Sequence, residues 1–274
     1  TRLKMPELPE VETSVQAIQE FVNQKLESIE IYNPNLRWKV KTSDFKKLHG
    51  HKVKNISRRA KYIILDIEMS QVLIHLGMTG TLRIANKKSN FYKKHDHIEF
   101  IFQKGKLIFN DPRRFGSMHF INDPKNHFLL ANLGPEPLSD EFNGEYLFHK
   151  IKKSVSPIKN TLMNQKNVVG IGNIYANEIL FDAKIRPTRK SKTLTKKENE
   201  SIVASSKKIL KHAIEAGGTT LQDFYQPDGN KGYFKIDLAV YDRANKGCIT
   251  CKKEMIKRIV QAQRATFYCR KCQV

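Results

Sequence analysis

Met5-Pro6-Glu7-Leu8-Pro9-Glu10-Val11-Glu12 sets both the first element of the fold and the first candidate chemistry. Val11, Val15, Ile18 and Val22 recur at intervals of four, three and four, which traces one face of a helix. Pro9 and the acids Glu7, Glu10 and Glu12 open that helix, and negative side chains there suit its dipole. Removal of Met5 would leave Pro6 as the first residue. An N-terminal proline carries a secondary amine, which attacks an aldehyde-like carbon and forms an imine without any side chain. Inside a chain the same nitrogen is a tertiary amide and has no such reactivity. Thr1-Arg2-Leu3-Lys4 precede Met5, so the expectation is that translation starts at Met5 and the active chain begins at Pro6.

Beyond this helix come short β-branched and aromatic segments punctuated by Gly, Asn and charged turns. They are Leu26 to Tyr32, Val53 to Ser57, Tyr62 to Ile67, Val72 to Leu76, Leu82 to Ile84, Ile98 to Phe102 and Lys106 to Phe109. Short strands after one helix predict an antiparallel β-sandwich of about 120 residues. The character changes after Asn122-Asp123-Pro124. Leu129 to Leu133, Glu141 to Val155, Ile158 to Asn164, Asn173 to Ala183 and Thr195 to Ala216 read as helices. Thr195-Lys196-Lys197-Glu198 is a capping box for the last of them, and Gly217-Gly218 ends it. A loop rich in Gly, Asp and Gln follows from Thr219 to Tyr233, and the linker between domains is expected near residues 134–140.

The chain has 274 residues, enough for two modest domains, and carries 49 Lys and Arg against 27 Asp and Glu, a formal charge of +22. Residues 184–212 hold ten basic and two acidic residues, and residues 243–274 hold nine and one. A solvated surface is the plain reading. The unevenness favours a polyanion partner, whose binding relieves the self-repulsion. Nothing approaches a bilayer-spanning apolar run or an apolar signal segment, so a cytoplasmic protein is expected. All four cysteines fall in the last 27 residues, as Cys248-x-x-Cys251 and Cys269-x-x-Cys272 with seventeen residues between the pairs. Four soft thiolates at this spacing predict one closed, structural Zn2+ site rather than two disulfides.

Other motifs divide between chemistry and architecture. Gly170-Ile171-Gly172-Asn173-Ile174-Tyr175 fails as a dinucleotide fingerprint, because Tyr175 takes the third glycine position and no βαβ unit surrounds it. It reads as a glycine turn starting a helix at Asn173, either a simple corner or a phosphate grip. His95 and His97 share a face of an alternating strand but lack a third ligand, which favours a structural pair. Asp111-Pro112-Arg113-Arg114-Phe115-Gly116 is a surface turn with a core ring or a wedge that enters a base stack. Met78, in His75-Leu76-Gly77-Met78-Thr79-Gly80, is core filler by its type alone. Arg264 should project from near the tip of a hairpin tied by the cysteines.

Taken together these segments resemble bacterial formamidopyrimidine-DNA glycosylases, and the match runs from Met5 to Gln273. Its motifs are Pro6 to Thr13, Arg58-Arg59-Ala60-Lys61-Tyr62, His75-Leu76-Gly77-Met78, Lys94-His95-Asp96-His97 and Asp111 to Gly116. They continue through Leu133-Gly134-Pro135-Glu136-Pro137-Leu138, Gly172 to Ala176, Gly217-Gly218-Thr219-Thr220 and Gln263-Arg264-Ala265-Thr266-Phe267-Tyr268-Cys269. The resemblance implies an α+β protein in three parts. These are a catalytic β-sandwich domain with a flanking helix over 5–134, a helix–two-turn–helix domain with a lesion loop over 141–233, and a four-cysteine zinc finger over 240–274. DNA would lie in the cleft between them. The resemblance makes Pro6 the nucleophile and Glu7 the acid that shuttles protons. Lys61, Asn173 and Arg264 would grip phosphates and His95 would contact DNA. Met78, Arg113 and Phe115 would fill the hole left by the extruded base, Lys159 would lie near the damaged nucleotide, and the loop after Gly217 would cover the everted purine.

The expected activity is that of a bifunctional DNA glycosylase and AP lyase of base excision repair, working on duplex DNA with oxidised purines or abasic sites. A monomer at the bacterial nucleoid is expected. Two alternatives are the sister class that excises oxidised pyrimidines and, if Pro6 stays blocked, a lesion-binding protein without catalysis. The latter would show salt-sensitive binding and no strand cleavage.

Overall fold

The computed structural model describes residues 5–68, 70–89, 92–122, 127–217 and 237–274. Thr1–Lys4, Asp123 and Pro124 at the expected change of character, and nearly all of the loop after Gly217 lie outside the described residues. The chain divides into two compact units, Thr1–Ala131 with Gly217–Lys235 and Asn132–Ala216 with Ile236–Val274. Among the described residues no helix is long and apolar enough to cross a membrane.

In the first unit, helix α1 (Leu8–Ala17) begins with a reciprocal capping box. The Glu7 carboxylate accepts the Glu10 N–H, and the Glu10 carboxylate accepts the Glu7 N–H at 2.9 Å. Val11, Val15 and Ile18 enter the core as their spacing predicts. The helix stops one turn early, however. A 3₁₀ turn over Gln19–Phe21 buries Phe21, and Val22 packs only partly against the core. Arg58 then clamps the helix to the sandwich by donating to Glu12 at 2.6 Å.

Among the described residues eight strands follow: β1 (Leu26–Ile31), β2 (Val53–Arg59), β3 (Tyr62–Ile67), β4 (Ser70–His75), β5 (Thr81–Ala85), β6 (Asp96–Phe102), β7 (Lys106–Asn110) and β8 (Ser117–Ile121). They form two antiparallel four-stranded sheets, ordered β1-β6-β7-β5 and β2-β3-β4-β8. Alternation puts Ile63, Leu65 and Ile67 of one sheet and Phe100, Phe102, Leu107 and Phe109 of the other into a single core that α1 also joins. This is the antiparallel sandwich with a flanking helix. Two elements escaped the sequence reading. Strand β8 carries no clean alternation, and α2 (Thr42–Lys46) is a single short turn of helix with one buried residue, Phe45.

The second unit holds α3 (Gly144–Ile151), α4 (Ile158–Leu162), α5 (Asn173–Asp182), α6 (Lys196–Glu215) and a hairpin of β9 (Lys257–Gln261) and β10 (Arg264–Tyr268). Helix α5 is buried on nearly every side, with α4, α6 and β10 packed against it, while α3 packs on α6. Thr195 caps α6 through the capping box that its sequence predicts. Helix α3 is shorter than expected, because the Asn143 side chain caps it by accepting the Tyr146 N–H. The helix expected over Leu129 to Leu133 is instead a pair of turns, with the N–H groups of Leu130 and Ala131 both bonding to the His127 carbonyl. The following Gly134-Pro135 cannot continue a helix.

Candidate active site and metal centre

Pro6 is half-buried at the mouth of α1, and Glu7 beside it is only 3 % exposed. The capping box fixes the Glu7 carboxylate on the Glu10 N–H, in the residue that follows Pro6. Glu12, Arg58 and the Ala60 carbonyl continue from there, since Arg58 also donates to Ala60 at 3.0 Å. Ala60 adopts a left-handed φ of 55° and turns the chain so that Lys61 stands between β2 and β3. The Lys61 charge is close enough to act on His75.

The Met78 turn and the Arg113–Phe115 turn are locked together by close backbone approach. Gly77 has φ 65°, and a Cβ there would lie 2.4 Å from the Phe115 carbonyl carbon and the Gly116 nitrogen. At the centre sits Asp111, fully buried. Its carboxylate accepts the Gly116 N–H at 2.7 Å, the Arg113 N–H at 3.3 Å and the Thr79 hydroxyl. One buried acid therefore presets both turns before any ligand arrives. Above it the Arg113 guanidinium lies 4.6 Å from the centre of the Phe115 ring, which remains 44 % exposed. Met5, Asn35, Arg37, His75, Met78 and Arg113 line an open cavity of about 610 Å³ in this unit. The structure thus brings Met78, Arg113 and Phe115 together on one cavity.

His75 and Arg37 were not singled out as site residues in the sequence. Burial, followed by the charges of Lys61 and Arg37, pushes the His75 pKa down to about 4. The ring is therefore neutral, and its Nδ1 accepts the Gly77 N–H at 3.0 Å. The only available signal was the position of His75 ahead of Leu76-Gly77-Met78. His95 does not share an alternating strand face with His97, because β6 begins at Asp96 and His95 has φ 76°. His97 is buried and bonds the Asp111 carbonyl at 2.8 Å, while the His95 carbonyl accepts the Asp111 N–H. The two histidines are thus structural supports of the arginine turn, and His95 alone stays partly accessible.

In the second unit, Gln165 staples the two turns between α4 and α5. Its side chain accepts the Gly170 N–H and donates to the Met163 and Ile171 carbonyls. Asn173 opens α5 after Gly172, and its amide donates to the Ala265 carbonyl at 3.1 Å. Lys159 is fully buried, with its ammonium donating to the Ala265 carbonyl at 2.9 Å and the Thr266 hydroxyl at 2.7 Å. Asn177 accepts the Phe267 N–H at 2.7 Å. Lys159, Asn173 and Asn177 together hold β10 against the helices, so Lys159 acts here as a strut rather than an open contact. Ala262 and Gln263 both have positive φ, which makes a tight two-residue hairpin turn and leaves Arg264 exposed beside the tip.

The Sγ atoms of Cys248, Cys251, Cys269 and Cys272 all lie within 4.8 Å of one another, the one such cluster among the described residues. Two of the separations are 3.7 and 3.8 Å. Four sulfurs placed tetrahedrally about 2.3 Å from zinc would be about 3.8 Å apart, so the donor set fits a closed thiolate site. Backbone N–H groups of Lys253 and Glu254 point at Cys251 and hold its thiol below the usual range. Burial raises the thiols of Cys269 and Cys272 instead, so the fit to a metal rests on the sulfur geometry.

The first unit thus carries a preset arginine turn on a sandwich, and the second carries an arginine on a cysteine-tied hairpin and two turns between helices. The Formamidopyrimidine-DNA glycosylase N-terminal domain profile matches residues 5–118, and the H2TH domain profile of the same enzymes matches residues 133–225. A formamidopyrimidine-DNA glycosylase of Hydrogenovibrio crunogenus is 47 % identical over 272 residues, covering 98 % of this chain and 96 % of the relative. One of Histophilus somni is 45 % identical over 273 residues, covering 98 % and 99 %. The crystal structure of Lactococcus lactis Fpg with abasic-site DNA superposes with a TM-score of 0.88 at 34 % identity, covering 98 % of this chain and 99 % of that one. Lactococcus lactis Fpg with Fapy-dG DNA gives 0.87 at 34 %, covering 97 % and 99 %. The chain belongs to the formamidopyrimidine-DNA glycosylase family.

Proposed function

We infer that this chain removes oxidised purines, 8-oxoguanine and formamidopyrimidines, from duplex DNA and then cleaves the abasic strand. The Pro6 amine, freed of the residues before it, is the nucleophile. It displaces the base at C1′ and forms an imine with the opened sugar. The imine acidifies the C2′ hydrogen, and removal of that proton expels the 3′ phosphate. A second elimination expels the 5′ phosphate. A free α-amine has a pKa of about 8, far closer to neutrality than a lysine, and nearby positive charge favours its neutral, nucleophilic form. Glu7, fixed beside it, moves the protons. Lys61, Asn173 and Arg264 take phosphates, His95 lies along the DNA, and Met78, Arg113 and Phe115 occupy the space of the everted nucleotide. Filling that space offsets the cost of unstacking, about a few kcal/mol.

The observation that carries this reading is the Asp111-centred lock of the Met78 and Arg113–Phe115 turns, on a cavity that Met5, the residue before Pro6, also lines. The cysteine cluster takes one structural Zn2+, held by Cys248, Cys251, Cys269 and Cys272, which fixes the hairpin that presents Arg264. The working divisions are 5–134, 141–233 with the lesion loop, and 240–274. The relatives are bacterial, and we place the enzyme in the cytoplasm at the nucleoid as a monomer. No observation favours the oxidised-pyrimidine class or a binder without catalysis. Protein with a sequenced N-terminus tests the reading. If it begins at Pro6, it should cut an 8-oxoguanine:cytosine duplex at the lesion and leave phosphates on both sides of the gap. Intact strands under those conditions would refute the assignment.

A further inference from the structure

The sequence Arg37-Trp38-Lys39-Val40-Lys41 alternates basic and apolar residues, and the structure gives this alternation a surface. Arg37, Trp38, Lys39 and Lys41 are exposed, whereas Val40 is buried and anchors the segment. Trp38 is 37 % exposed and Phe128 63 %. Their ring centres lie 6.3 Å apart with planes at 75°. His119 supports both rings from β8, 5.3 Å from Trp38 and 6.2 Å from Phe128, and His127 packs against Phe128 at 4.7 Å. The Arg37 guanidinium lies 4.6 Å from the Trp38 ring centre and also lines the cavity that Met78 and Arg113 share. Among the described residues Arg37, Lys39 and Lys41 have no carboxylate partner.

We propose that Trp38 and Phe128, with Arg37 against the Trp38 ring and the exposed Lys39 and Lys41 next in the chain, form a stacking site for an unpaired nucleobase of a DNA strand, adjoining the cavity of Met78 and Arg113 but built from other rings. The right-angle setting of the two rings makes a corner rather than a slot. A flat base can lie on one ring and meet the edge of the other, the arrangement that aromatic quadrupoles favour. The surrounding cations suit the phosphates on either side of such a base. Aromatic faces within a basic groove are the recurrent means of holding single strands without sequence preference. The site rests on the proposed DNA-repair function, whose reaction opens a gap and so leaves strand ends whose bases have lost a stacking neighbour.

Trp38 is the only tryptophan in the chain, so its fluorescence reports on this corner alone. The full chain is titrated with a short oligothymidylate, an undamaged duplex and heparin, a polyanion without bases. Cleavage of an 8-oxoguanine duplex is read on the same preparation. Stacking should quench Trp38 strongly with the single strand and weakly with duplex or heparin. Phe128→Ala, at an exposed position, should weaken oligothymidylate binding about tenfold, leaving lesion cleavage and thermal unfolding unchanged. Equal quenching by heparin, or no quenching by the single strand in protein that still cuts lesion DNA, overturns the stacking site alone. Protein that begins at Pro6 and neither binds nor cuts lesion DNA overturns the functional reading and this site with it.

Discussion

Two arginine-bearing turns in this chain are held by opposite means. The Arg113 turn is organised from within the sandwich, where the Asp111 carboxylate gathers the N–H groups of Arg113 and Gly116 and the Thr79 hydroxyl. The Arg264 turn sits on a two-stranded ribbon with little core of its own. It depends on the cysteine cluster at one end and on Lys159, Asn173 and Asn177 along β10. A two-stranded hairpin alone is marginal in water. The comparison teaches that one arginine turn is preset by packing and hydrogen bonds, while on the proposed function the other would be conditional on a metal held by the four cysteines.

The largest test of that contrast is loss of the metal. Cys248→Ser, or prolonged chelation, should abolish cleavage of lesion duplex, because the hairpin loses its order. Trp38 emission, which belongs to the sandwich, should stay unchanged. Emission that shifts together with activity would show that the two elements are not independent. The converse lesion is Asp111→Ala, which leaves several buried donors unsatisfied and should destabilise the protein by about 3 kcal/mol in denaturant melts. Zinc content, measured by atomic absorption, should remain one per chain. Gly77→Ala should behave similarly, since it adds left-handed strain to a backbone overlap.

Lys159→Met is a finer probe. Ala265 keeps its bond from Asn173, so the global cost should be about 1 kcal/mol. Lesion-duplex affinity should nevertheless fall and its salt dependence flatten, as it would for Arg264→Ala, whose slope should drop by about one. A Lys159→Met protein with wild-type salt dependence would remove the strut role. The smallest expected effect is in pH. His75 titrates at about 4 in the folded chain against 6.5 unperturbed, so the unfolded chain binds the extra proton between those values. Its contribution is fully present above pH 6.5 and declines as pH falls toward 4. His75→Asn keeps an acceptor for the Gly77 N–H and should flatten melting temperature against pH in that window. An unaltered slope would place the acid sensitivity elsewhere.

Much of this architecture was legible from residue pattern. Strand β3, the α6 capping box, the start of α5 at Asn173 and the cysteine pairs are local signals, and each appears where its pattern puts it. Arg264 likewise emerges beside a tight hairpin tip. What the sequence does not show are partners at long range. Asp111 reads as an ordinary turn acid until β5, β7 and β8 bring Thr79 and Gly116 to it. His75 reads as a strand end until Lys61 and Arg37 crowd it. Lys159 gives no hint in sequence of a partner more than a hundred positions away. Strand β8 was missed because Ser117-Met118-His119-Phe120-Ile121 buries residues without alternation.

The central claim is that the imine nitrogen is that of Pro6, and borohydride trapping reads it directly. Protein whose intact mass begins at Pro6 is mixed with 8-oxoguanine duplex and reductant, and the crosslinked peptide is sequenced. The account requires a stable DNA adduct on the Pro6 nitrogen, absent from protein that retains residues ahead of it. An adduct on Lys61 or another lysine, or equal trapping by the extended chain, would contradict it.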